Sequence, residues 1–162
     1  MNSAPVNDAI LHVVLYEPEI PLNAGSIGRT CVAVGAKLWL VRPLGFQIND
    51  KQLRRAGLDY WHRLNWEVVD DWNALLAALG LRPIWMVETR GKRLYTEASY
   101  KPGDALVFGP ETRGLPAKLL DVQPQRTLRL PMQSEARSLN QSNVVAVVAF
   151  EAMRQINAWP GP

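Results

Sequence analysis

Short apolar stretches alternate with helical ones along almost the whole chain, and this alternation limits the possible folds more than any other feature of the sequence. Residues 10–16 read as a buried strand, 24–34 as a helix ended by Gly35, and 38–41 as a second strand. Residues 50–56 read as a short helix with Gly57 as its stop, and 66–69 as a third strand. Asp70 or Asp71 can cap a helix in which Trp72, Leu75, Leu76 and Leu79 share one face. Residues 84–87 and 105–108 are strands four and five, and Pro116 stands at the first turn of a short helix reaching about Leu120. Residues 127–130 form the last strand and 143–157 the closing helix. This order predicts an α/β fold, a mostly parallel six-stranded sheet with helices on both faces. Ligands of such sheets bind outside the carboxyl ends of the strands. The loops there are 17–23, 88–91, 109–115 and 131–142.

A length of 162 residues suits one domain with a real core, here residues 9–158, between a flexible start at 1–8 and a tail at 159–162. Hydrophobic residues make up 48% and charged residues 20%, which places the chain in the globular class. No apolar run approaches the roughly 18 residues of a membrane span. Residues 1–8 lack a basic segment followed by an apolar one, so no secretory signal is expected. The one cysteine, Cys31, excludes an internal disulfide, and the expected location is the cytoplasm. Cys31, His12 and His62 are too few for an ordinary zinc site, so no metal is expected.

The net charge is +3, a mild excess that permits nucleic-acid binding without requiring it. Lys51, Arg54 and Arg55 would share one face of a helix, and Tyr60, Trp61, His62 and Arg63 follow. Basic groups neutralise phosphates and aromatic faces stack on bases. The plainer reading is a solvated helix face. The closing helix is apolar nearly all round from Val144 to Phe150, so the domain core or another subunit must cover it.

The loop chemistry is concentrated in three places. Residues 134–143 are dense in short hydrogen-bonding side chains and lie between an apolar strand and an apolar helix. A polar loop on such a scaffold usually carries a site. Ser142 or Asn143 can cap the helix, but cap and loop together do not explain Ser138, Asn140 and Ser142 at alternating positions. In the loop 17–29, Asn23 can cap the helix, and Gly25 and Gly28 permit close approach. Neither a dinucleotide fingerprint nor a Walker A loop is present there. Arg29 lies about a turn and a half into that helix, as a surface arginine or one aimed at a phosphate. The loop 108–116 carries two glycines and two prolines, and its Glu111 can accept a hydrogen bond from an amine or hydroxyl.

Taken in order, residues 23–29, residues 108–115, and Leu130-Pro131-Met132 with residues 138–143 resemble the three motifs of the SPOUT RNA methyltransferases, in their 2′-O-ribose branch. Residues 15–21, residues 53–60, and Phe150-Glu151-Ala152 are similar to the TrmL (YibK) subfamily. The resemblance runs from about Val13 to Gln155.

The resemblance implies a deep C-terminal trefoil knot, a feature otherwise almost absent from proteins. It implies S-adenosylmethionine as cofactor, held in the knot by Val87, Glu88, Thr89, Gly109, Glu111, Gly114, Leu130, Met132, Ser138, Leu139 and Ser142. It implies a homodimer with Phe150 at the subunit contact. The implied reaction is methylation of the ribose 2′-hydroxyl of the wobble nucleotide, cytidine or modified uridine at position 34, in the anticodon loop of leucine tRNAs. Arg29 matches the arginine proposed as base in related enzymes. A guanidinium with a pKa above about 12 is almost never neutral, so Arg29 is better suited to hold the adjacent phosphate and the developing alkoxide. Asn23, Glu111, Ser138 and Asn140 would orient Arg29, the cofactor and the ribose. Larger relatives carry an N-terminal RNA-binding extension, and residues 1–8 are too short for one. The tRNA is therefore expected across the dimer, on Lys51, Arg54, Arg55 and Tyr60. The alternatives are a SPOUT 2′-O-methyltransferase of another tRNA or rRNA site, and an RNA-binding module without catalysis. Cofactor binding separates the last from the others.

Overall fold

A computed structural model describes residues 9–49, 51, 55 and 60–157. The strands are β1 (His12–Tyr16), β2 (Lys37–Val41), β3 (Trp66–Val69), β4 (Ile84–Val87), β5 (Arg93–Leu94), β6 (Ala105–Phe108) and β7 (Thr127–Arg129). The α-helices among the described residues are α1 (Pro21–Val34), α2 (Trp72–Leu79), α3 (Ala117–Leu120) and α4 (Gln141–Ile156). The sheet runs in the order β3-β2-β1-β6-β4-β7-β5, and every pairing among the described residues is parallel.

The strands read as continuous apolar runs because both faces of the sheet are covered. Val13 and Leu15 of β1, Leu38 and Leu40 of β2, and Leu106 and Phe108 of β6 pack with Ala24, Ile27 and Cys31 of α1 and Val145, Val148 and Ala149 of α4. The intervening residues Val14, Trp39, Val41 and Val107 point the other way, onto Leu75 and Leu79 of α2 and Leu119 of α3. The period-two alternation of each strand thus feeds two cores at once.

The sheet has seven strands rather than six. The extra one, β5, pairs Arg93 with Leu128 and Leu94 with Arg129. Two half-buried residues give no apolar run to read. The pairing follows from Gly91, where a Cβ would sit 2.2 Å from the Leu128 carbonyl carbon, so the chain can press against β7 only with glycine there. α1 begins at Pro21 with Ile20 as its N-cap, not with Asn23. The cap of α4 is Asn140, whose side chain accepts from the Ser142 N–H, and not Ser142 or Asn143. Asp71 caps α2 by accepting from Ala74 N at 2.8 Å. Gly35 ends α1 at φ 73°. Lys51 and Arg55 are helical and exposed. Arg54 and the expected terminal segments 1–8 and 159–162 lie outside the described residues.

The opposite, amino-terminal edge of the sheet is held by buried polar pairs. Trp39 Nε1 donates to His12 Nδ1 at 3.0 Å, and Trp85 Nε1 to Asp104 Oδ2 at 2.9 Å. His12 is fully buried, and burial, reinforced by Arg82 and Lys37, lowers its pKa from 6.5 to about 4. Its Nδ1 accepts, which puts the proton of the neutral ring on Nε2. An unfolded chain protonates His12 below about pH 6.5, and the folded chain only near pH 4. The stability that His12 contributes is therefore complete above pH 6.5 and is lost progressively as the pH falls towards 4. His12→Gln keeps an acceptor for Trp39 and removes the titration. The melting temperature of this variant is expected to depend visibly less on pH between 6.5 and 4 than that of the wild type. Parallel curves would remove His12 from the acid response.

Candidate active site

Because the strands are parallel, the loops after β1, β4, β6 and β7 meet at one edge. β1 and β6 are neighbours whose connections leave in opposite directions, α1 leading to β2 on one side and the β6 loop leading through α3 to β7 on the other. Such a switch point opens a crevice. Beside it, the loops after β4, β6 and β7 and the start of α4 line a cleft of about 360 Å³, within the size range of small-molecule sites.

Ten of the eleven residues expected at the cofactor line this cleft. Val87, Glu88 and Thr89 come from the β4 end, and Gly109, Glu111 and Gly114 from the β6 loop. Leu130, Met132, Ser138 and Leu139 come from the long loop after β7. Ser142 is the exception. It sits in the first turn of α4, where its N–H and hydroxyl both donate to Asn140 Oδ1. Sequence reasoning did not single out Phe108, Arg113, Arg137, Gln141 and Val144, which also line the cleft. Arg137 and Gln141 lie inside the polar stretch 134–143, whose density was the available signal.

The loops are fastened by carboxylates that accept from backbone N–H groups of other segments. Glu111 accepts from Glu19 N at 2.8 Å and Ile20 N at 3.2 Å, at the start of α1. It serves as a remote cap for a helix whose own N-cap residue has no side-chain oxygen. Glu19 answers by accepting from Thr112 N and Oγ1 at 3.2 and 2.8 Å. The Thr112 hydroxyl and N–H hold the Glu19 carboxyl below its ordinary pKa. Glu88 accepts from Leu115 N at 2.8 Å, against Gly114, where φ is +69° and a Cβ would meet Glu88 Oε2 at 2.5 Å. Gln141 donates to the Gly109 carbonyl. Arg113 pairs with Glu17 at 3.1 Å, and Glu17 itself adopts a left-handed φ of 48° at the end of β1.

The five residues expected to be catalytic fall into three groups. Glu111 and Ser138 line the cleft. Asn23 is buried behind Glu111, donating to its Oε1 at 3.4 Å and accepting from Asn140 Nδ2 at 3.1 Å. Asn23 and Asn140 thus tie α1, the β6 loop and α4 together and do not themselves line the cleft. Arg29 does not line it either. It is exposed on α1, with its guanidinium 4.7 Å from the centre of the Tyr60 ring. Arg29 stands apart from the cleft of its own chain because helical geometry carries it to the outward stripe of α1 with Leu22 and Ala33.

α1 and α4 pack against each other on one face of the sheet. Their outward stripes leave large apolar side chains exposed, with Leu22 at 50%, Val147 at 40% and Phe150 at 45%.

The family model described as SpoU rRNA Methylase matches residues 10–150. A tRNA (cytidine(34)-2'-O)-methyltransferase of Methylovorus glucosotrophus is 49% identical over 144 residues, covering 88% of this chain and 94% of that protein. A solved structure from work on the 2-OH methylation of C/U34 on tRNA is 45% identical, with a TM-score of 0.87 over 92% of this chain and 97% of that one. The SpoU methyltransferase AviRb of Streptomyces viridochromogenes, solved in complex with the cofactor AdoMet, is 26% identical, with a TM-score of 0.81 over 93% of this chain and 62% of that one.

Proposed function

Since the chain belongs to the SpoU rRNA methylase family, we propose that it is an S-adenosylmethionine-dependent tRNA 2′-O-methyltransferase, acting on the ribose of cytidine or modified uridine 34 in leucine tRNA anticodon loops. The observation that carries this reading is the cleft at the carboxyl ends of β4, β6 and β7, with the loops around it locked by Glu88, Glu111 and Asn23. Identity near one half to a wobble-nucleotide tRNA enzyme supports tRNA as the substrate. The reading carries with it the C-terminal trefoil knot and residence in the cytoplasm.

The cleft suits the cofactor. Val87, Leu130, Met132 and Val144 offer apolar walls, while the glycine-containing β6 loop brings backbone groups to the surface. When bound, S-adenosylmethionine supplies a methyl group activated by a sulfonium. The chain's task is to place the 2′-oxygen in line with that methyl and to exclude water. Locked loops meet this demand, because little reorganisation remains when substrate arrives. Ser138, at the cleft wall, is placed to orient the ribose. Arg29 holds the neighbouring phosphate and steadies the negative charge growing on the oxygen. As Arg29 faces away from its own cleft, it serves the cleft of a second copy docked on the α1–α4 face. The outward Leu22, Val147 and Phe150 supply the apolar surface for that docking. Lys51, Arg54 and Arg55 serve the anticodon stem.

The test is methyl transfer from labelled S-adenosylmethionine to leucine tRNAs, with mass mapping of the product nucleoside. A 2′-O-methyl group at position 34, absent when that ribose is 2′-deoxy, is the expected result. Transfer to rRNA alone, or to a base, would overturn the reading. Gly109→Ala offers a second check. Its Cβ would fall 2.5 Å from Leu115 N and 2.6 Å from the Gly114 carbonyl carbon, so the loop must open. Calorimetry should show cofactor affinity weakened by at least roughly tenfold, the loss of one or two well-placed hydrogen bonds. Wild-type affinity in this variant would place the cofactor elsewhere.

A further inference from the structure

We infer that Tyr60 is a positioning residue for Arg29, seated by the docking of Trp61 on Gly28. This rests on the catalytic reading of Arg29 given above. The Arg29 guanidinium lies over the Tyr60 ring, 4.7 Å from its centre, on the outward side of α1. An exposed arginine on a helix ordinarily samples many rotamers, and ordering it has an entropic cost. A ring face beneath the guanidinium restricts it while leaving its N–H donors, which lie in the guanidinium plane, open to a phosphate. A carboxylate partner would instead consume those donors and cancel the charge. The contact therefore suits an arginine that must remain cationic and available.

The contact is built by the fold. The 3-10 turn Trp61–Arg63 packs on α1, and the backbone N–H of Leu64 closes it by donating to the Trp61 carbonyl. A Cβ at Gly28 would come within 3.0 Å of Leu64 Cδ2 and 3.2 Å of Trp61 Cζ3. Only glycine lets the indole approach without displacing it. Trp61 is held from its other side by Trp66 of β3, with ring centres 5.2 Å apart. Gly28 and Arg29 are adjacent on α1, as Trp61 and Tyr60 are on the turn. Seating the first pair places the second. Tyr60 was expected from sequence to meet RNA directly, whereas this arrangement gives it work through Arg29.

The test is a kinetic and spectroscopic series on the full-length protein. Tyr60→Ala should lower the single-turnover rate of methyl transfer roughly tenfold, the scale of one partly desolvated cation–π contact. The dissociation constants for tRNA and S-adenosylmethionine should stay within about twofold, and Tyr60→Phe should restore the rate. Gly28→Val should reproduce the Tyr60→Ala kinetics, because it displaces Trp61. Adding Tyr60→Ala to Arg29→Ala should change nothing further, since a positioning residue has no effect once its ward is gone. Weakened tRNA binding with an unchanged saturating rate would overturn the inference and make Tyr60 a stacking platform for the nucleotide. Equal losses in the presence and absence of Arg29 would overturn it as well. Independently of activity, the Arg29 Nε–H resonance, assigned by its disappearance in Arg29→Lys, should be shifted upfield by the ring in wild type and Tyr60→Phe, and not in Tyr60→Ala. An unshifted wild-type resonance defeats the inference even if the enzyme methylates tRNA. A shifted resonance in a protein that methylates no tRNA leaves the contact standing and defeats only the catalytic reading.

Discussion

Arg29→Ala should abolish methyl transfer, with a fall of at least about 10²–10³ in turnover, while cofactor affinity stays within twofold. The magnitude is that of removing one preorganised charge from a developing oxyanion. Affinity is spared because Arg29 lies outside the cleft that its own chain forms, and the ten expected cofactor residues at that cleft come from other loops. The same placement gives a sharper result in mixed dimers. A dimer of one Arg29→Ala chain and one chain disabled at its own cleft should retain at most one working site, assembled from the two intact halves. Near wild-type turnover by the homodimeric variant would remove Arg29 from the mechanism.

Phe150→Asp should yield a monomer, or a poorly folded chain, without activity. Phe150 is 45% exposed on the outward stripe of α4, along which Asn143 and Val147 are also exposed. If a second copy covers this stripe, the new carboxylate is buried twice, once on each side of the two-fold axis. Burying an unpaired charge costs several kcal/mol per ion, enough to dissolve an interface of ordinary strength. Light scattering reports the assembly, and a tRNA methylation assay reports the site. An intact, active dimer would refute both the interface and the shared site. Val147→Ser is a milder companion, and should weaken the dimer without unfolding the chain, because Val147 makes no part of the buried core.

Much of the fold was legible because the sheet is buried on both faces. Residues such as 84–87 and 105–108 are apolar without interruption, as strands covered on both faces must be. The cleft was legible because parallel strands send all their carboxyl-end loops to one edge, which a list of strands already implies. What escaped was decided across the fold rather than along it. α1 starts two residues before Asn23, and its cap comes from Glu111, 91 positions away from Ile20. With that cap supplied, Asn23 is released from the helix end and becomes a buried tie. β5 exists because Gly91 lets two chains meet, which two half-buried residues do not announce. Arg29 reads from sequence as either a surface arginine or one aimed at a phosphate, and its separation from the cleft follows from helical phase.

The tie between Asn23 and Asn140 joins positions 117 apart, and the tie between Asn23 and Glu111 joins positions 88 apart. A chain leaving the ribosome therefore has no version of this cleft, however well its first strands have paired. Until α4 has docked on α1, the loops that wall the cleft are not tied to one another. Contacts of such long range form late and slowly. A ligand that recognises only the completed cleft binds only the finished molecule, and adds to its stability in proportion to RT ln(1 + [L]/Kd). The cofactor thus doubles as an inspector of assembly: its affinity reports whether the end of the chain has found the beginning.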